Sequence, residues 1–135
     1  MIKSFVAFFA FSFFISCFSV SICWADAALV INKANGNAEL WTGGNYSKAL
    51  ISAMGQCKYS SDVDEKKFCK EYRFKKEPKR GSTLLVVRGK KLGSYRFLTA
   101  NSRKHSITKL REGGLKYCRK KRRKNCQIVH FSKID

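Results

Sequence analysis

Residues 45–57 read Asn45-Tyr46-Ser47-Lys48-Ala49-Leu50-Ile51-Ser52-Ala53-Met54-Gly55-Gln56-Cys57. Tyr46, Ala49, Leu50, Ala53, Met54 and Cys57 fall at i, i+3, i+4, i+7, i+8 and i+11. That is one apolar stripe of period 3.6, and it predicts an amphipathic helix. Asn45 is a good N-cap, because its side-chain oxygen accepts a free N–H of the first turn. Outward toward the N-terminus lie a second strand, Glu39 to Thr42, a turn at Asn35-Gly36-Asn37, and the β-branched stretch Leu29-Val30-Ile31. On the other side, a polar loop leads to a last strand predicted over Phe68 to Phe74.

The same order recurs with a period near 56, pairing Leu29-Val30-Ile31 with Leu85-Val86-Val87, Asn45 with Asn101, and Phe74 with Phe131. In this second copy the turn falls over Gly89 to Gly93 and the second strand over Tyr95 to Leu98. Asn101-Ser102 is the expected cap of a helix striped by Ile107, Leu110, Gly114, Leu115 and Cys118. Gly113-Gly114 costs that helix about 1 kcal/mol per residue relative to Ala, which predicts a bend or stop there. Gln127 to Phe131 alternates with period two and predicts the closing strand. The expected class is α+β: two β-hairpin–helix–strand units, over about 28–75 and 82–135, forming one antiparallel sheet packed by two helices. The alternative is chance likeness between two hairpin–helix segments.

At the N-terminus, Lys3 precedes an apolar run from Phe5 to Ile22, and Ala25-Asp26-Ala27 offers small residues at the −3 and −1 positions of a signal peptidase site. A permanent anchor would need a span of roughly 20 residues, and Phe14-Ile15-Ser16-Cys17 makes only a poor lipoprotein site. The chain is therefore expected to carry a signal peptide over residues 1–27 and to be secreted or periplasmic. Residues 28–135 are then a single small basic domain, whose modest core gains from covalent staples.

Four cysteines, Cys57, Cys69, Cys118 and Cys126, remain in that domain. An even number in an exported chain reads as a disulfide framework with three connectivities. Zinc is the competing reading, but no C-x₂-C pair is present. Equivalent positions in the two copies favour bridges Cys57–Cys69 and Cys118–Cys126, each stabilising by roughly 2–3 kcal/mol in the chain-entropy model. The segment Ser47-Lys48-Ala49-Leu50 through Cys57, with Cys69 beyond, resembles small exported bacterial domains of unknown function. In those, a strand pair precedes an "Ala-Leu-x-x-x-Cys"-like helix and a second Cys follows a loop. The resemblance implies an exported α+β module, covers about half of the mature chain, and brings no activity; the basic second half departs from it.

Charge is distributed unevenly. The chain carries a formal net charge of +19. Residues 28–72 hold six basic and five acidic groups, whereas residues 73–135 hold 21 basic and three acidic ones. Solubility calls for a magnitude of roughly 2–8 in a small domain, so the excess in one half points to an anionic partner. Its densest part is Arg119-Lys120-Lys121-Arg122-Arg123-Lys124, between Cys118 and Cys126. Six like charges are too costly to bury unpaired. A bridged loop would display them rigidly and lose less entropy on binding. The basic pairs Lys90-Lys91 and Arg103-Lys104 are expected to extend the contact. The leading expectation is a monomeric, non-enzymatic protein binding nucleic acid, sulfated glycan, lipopolysaccharide or anionic lipid, with a host-directed role among its readings. No cofactor or metal is called for.

Two rivals belong to other classes. A protein-binding module or inhibitor of a secreted enzyme would use the near-neutral first half around Trp41 and Tyr46. A metal-independent ribonuclease would use His105 and His130. Cys126-x-x-Val129-His130-Phe131 is similar to the last strand of secreted pancreatic-type ribonucleases, where two histidines and a lysine work by general acid–base chemistry. That family's N-terminal catalytic histidine, its lysine motif and most of its cysteines have no counterpart here. The leader reading has a direct check: N-terminal sequencing of the exported protein should begin at Ala28.

Overall fold

Leu29, Val30 and Ile31 are all buried, and so are Leu84, Leu85, Val86 and Val87. Successive residues of a strand point to opposite faces, so runs of this kind must be covered on both sides. The computed structural model, which describes residues 27–43 and 45–134, shows what covers them. The expected leader, residues 1–27, lies outside the described residues, except that Ala27 opens the first strand.

The elements are β1 (Ala27–Asn32), β2 (Ala38–Thr42), α1 (Tyr46–Tyr59), a 3₁₀ turn (Lys66–Phe68), β3 (Cys69–Tyr72), β4 (Thr83–Lys91), β5 (Ser94–Ser102), α2 (Ile107–Lys120) and β6 (Lys124–Lys133). They form two three-stranded antiparallel sheets, ordered β2-β1-β3 and β5-β4-β6. The expected single sheet is thus corrected to two. The physical reason is the double-sided burial of β1 and β4. One face of each meets the other sheet in a shared core of Leu29, Ile31, Leu84, Val86, Phe97 and Ile134. The opposite face of β1 meets α1 through Val30, Ala53 and Cys57. That of β4 meets α2 through Leu85, Val87 and Cys118.

Local chemistry explains most boundaries. The Asn45 side chain accepts from Lys48 N at 2.9 Å and caps α1 as expected. The cap of α2 is Ser106 rather than Asn101-Ser102. Ser102 instead accepts the backbone N–H groups of Lys104 and His105, which turns the chain before the helix. The β4–β5 turn is the pair Leu92-Gly93, both with positive φ (52° and 79°), the two-residue form that matches strand twist. Gly89 lies inside β4, not in the turn. Both disulfides join the expected partners, Cys57–Cys69 and Cys118–Cys126, and each ties a helix to the following strand. Buried Asn32 fastens the first half. Its amide donates to Ser61 Oγ and the Glu65 carbonyl, while its Oδ1 accepts from Ala34 N and Asn35 N.

The α2 helix neither bends nor stops at its glycines; it runs through them to Lys120. Gly114 faces β4, and a methyl group there would lie 2.5 Å from Leu85 Cδ2 and 3.2 Å from Val87 Cγ2. Close approach of helix and sheet therefore outweighs the propensity cost. Gly113 has open space around it. The two adjacent glycines should respond oppositely in urea unfolding: Gly114→Ala should destabilise by about 1–3 kcal/mol through overpacking. Gly113→Ala should stabilise by about 1 kcal/mol through helix propensity.

Candidate functional site

The six-residue basic run divides into three parts. Arg119 and Lys120 complete the last turn of α2. Cations there interact favourably with the helix dipole, so their charge has a local structural reason. The helix then ends at Lys121. Arg122 N donates to Arg119 O at 2.9 Å and Arg123 N to Cys118 O at 3.4 Å. This paired closure needs a left-handed residue, usually Gly, just past the cap. Here it is Arg122, at φ 56°.

Beyond the cap, neighbouring side chains go to different places. Arg122 and Lys124 border a surface hollow of about 500 Å³, together with Lys90 and Lys91 of the hairpin tip. Strand register brings them there, since Lys90 pairs directly with Lys124. Lys121 and Arg123 instead line a cleft of about 700 Å³ between α2 and β5. The expectation that all six cations face outward is corrected for Arg123, which is half-buried, with Nε and Nη1 enclosed and unpaired. Gly89 makes the room. A Cβ at that position would lie 2.7 Å from both Arg123 Cβ and Cys118 Sγ, and 3.3 Å from Cys126 Sγ.

Arg103 and Lys104 do not join this surface. They follow Ser102, which pairs with Thr83 at the far end of the β4–β5 ladder from Lys91 and Ser94. Nine residues of antiparallel strand separate the two ends by about 27 Å. Arg103 donates to the Arg80 carbonyl.

The two histidines have different partners. His130 Nε2 lies 2.5 Å from the Ala38 carbonyl, to which it donates between the two sheets. His105 stands before α2 with Nδ1 2.7 Å from Ser102 Oγ, and lines the α2 cleft. Among the described residues no three His, Cys, Asp or Glu side chains cluster as metal ligands, and no helix is long and apolar enough to cross a membrane. In the first half, Trp41 is 42% and Tyr46 39% exposed.

Leu92, Lys109 and the inward turn of Arg123 were not singled out from sequence. Leu92 is 91% exposed at the tip of the hairpin. The available signals were an apolar residue before Gly93 in a turn, and a Gly inside a strand, which marks close approach.

No protein-family model matches the chain, and no curated protein or solved structure is significantly similar to it.

The Tyr46 hydroxyl donates to the Glu71 carboxylate. Burial, and then the hydrogen bond and negative charge of Glu71, push the phenol up to about 12. The folded value lies above the unfolded one, so this contribution to stability is complete below pH 10 and fades as pH rises toward 12. In an alkaline absorbance titration, Tyr46→Phe should remove a transition near pH 12, and Glu71→Gln should shift that transition to lower pH.

Proposed function

We propose that the protein binds an anionic polymer or surface, without catalysis, through the β4–β5 hairpin tip and the bridged Cys118–Cys126 loop. The observation that carries this reading is the convergence of Lys90, Lys91, Arg122 and Lys124 around one hollow that no acid lines among the described residues. Two costs are met there at once. Like charges directly opposite across a ladder, as Lys90 and Lys124 are, destabilise a sheet. A non-glycine residue in the left-handed region, as Arg122 is, costs roughly 1–2 kcal/mol. Neither cost is needed by the fold, whereas a polyanion would relieve the first and explain retention of the second.

Leu92 favours an anionic lipid surface among the compatible partners. An exposed apolar tip ringed by lysines suits the boundary between headgroups and acyl chains. The two disulfides, and the leader expected over residues 1–27, support a site of action outside the cytoplasm, in the periplasm or beyond. The matching strand orders and bridges of the two halves support their being copies of one β-hairpin–helix–strand unit, with the cations gathered on the second.

Retention on heparin and DNA should fall steeply with salt. On DNA, four phosphate contacts give a log–log slope of about −4. Changing Lys90, Lys91, Arg122 and Lys124 to Gln should abolish retention at moderate salt, and changing Arg103 and Lys104 should leave it nearly intact. Arg122→Gly should stabilise the fold by about 1 kcal/mol while weakening retention. Equal retention by the fourfold variant would refute the assignment. Binding to phosphatidylglycerol vesicles that is lost in Leu92→Ser, with heparin retention unchanged, would identify the lipid surface.

A further inference from the structure

We infer that the cleft between α2 and β5 is a second and separate binding site, for a small amphipathic organic anion: a carboxylate on a hydrocarbon body. Its walls include Phe97, Leu98, Leu110 and Tyr117, and its volume is about 700 Å³. Pockets that hold small organic ligands commonly enclose roughly 300–1,000 Å³. Among the described residues no acid lines it, while Lys75, Lys109, Lys121 and Arg123 all do.

Arg123 decides the sign of the ligand. Its Nε and Nη1 are buried without a hydrogen-bond partner. A guanidinium does not escape that cost by releasing its proton. Buried polar groups are ordinarily satisfied, so an orphaned pair of charged donors needs an explanation. A carboxylate oxygen accepts charge-assisted hydrogen bonds from a guanidinium N–H, about twice as strong as neutral ones. The apolar walls decide the rest, since a bare polyanion would leave them with nothing to cover.

Gly113 is consistent with this use. It lies mid-helix, lines the cleft and has no atom within 4 Å of where a Cβ would stand. The helix gives up propensity at this position, and the position keeps the cleft open. The site does not depend on the polymer-binding reading, because Arg122 and Lys124 border a different hollow.

The test is an NMR titration of the intact disulfide-bonded protein with decanoate, far below its micelle concentration, and with decanol as the neutral control. Decanoate should bind with one-to-one stoichiometry and shift the amide signals of residues 97–100 and 109–114. Decanol should bind at least tenfold more weakly. Arg123→Met should lose about tenfold to a hundredfold in decanoate affinity, the usual size for a charge-assisted pair. Gly113→Leu should fill the cleft and abolish binding. Gly113→Leu should keep heparin retention and Arg123→Met a cooperative urea transition, each reporting an intact fold, and the fourfold glutamine variant should keep decanoate binding. Equal affinity for decanol and decanoate, or undiminished decanoate binding by Arg123→Met, would overturn the inference.

Discussion

The close approach of α2 to β4 governs the C-terminal half. Gly114 lets the helix settle onto Leu85 and Val87, and Gly89 leaves space beneath the Cys118–Cys126 bridge. Both contacts are shorter than a side chain would allow, so the helix height above the sheet is set at two points. Once it is set, the chain must leave α2 and enter β6 within a few residues, because Cys118 and Cys126 are bonded across that gap. The left-handed Arg122 makes the reversal. The pairing of β4 with β6 then puts Lys124 beside Lys90, and the cationic hollow follows from packing rather than from charge.

Local signals made much of the fold readable in advance. The α1 stripe, the Asn45 cap and the two cysteine pairings depend on spacing and on side chains within one turn or one unit. What sequence periodicity missed was long-range. One sheet or two was decided by double-sided burial in β1 and β4, which a short apolar run does not distinguish from a one-sided strand. The glycines of α2 looked like breakers because their propensity is local, while the Leu85 contact that keeps the helix whole lies 29 positions away. Ser106 displaced Asn101-Ser102 as the cap because Ser102 spends its oxygen on the preceding turn.

For the candidate sites, composition located the charge but not its direction. A run of six cations reads as one patch only if all its side chains share a face. Arg119 and Lys120 belong to a helix terminus, Arg122 and Lys124 to the hairpin side, and Lys121 and Arg123 to the cleft. Arg103 and Lys104 show how a basic pair counted by composition can lie a strand length from the hairpin tip.

That division gives the left-handed residue a double role. Arg122 and Arg123 are joined by one peptide, yet their side chains border different cavities. The backbone conformation that points one outward also turns the other over Gly89. A glycine at position 122 would keep that path at lower conformational cost, so the backbone alone does not account for the arginine there. The charge does: it sits where β4, β6 and the hairpin tip already crowd cations together. The same short loop thus closes a helix and, on the proposed readings, presents charge to something large and lines a cleft for something small. The 118–126 bridge is what allows so few residues to meet all three demands.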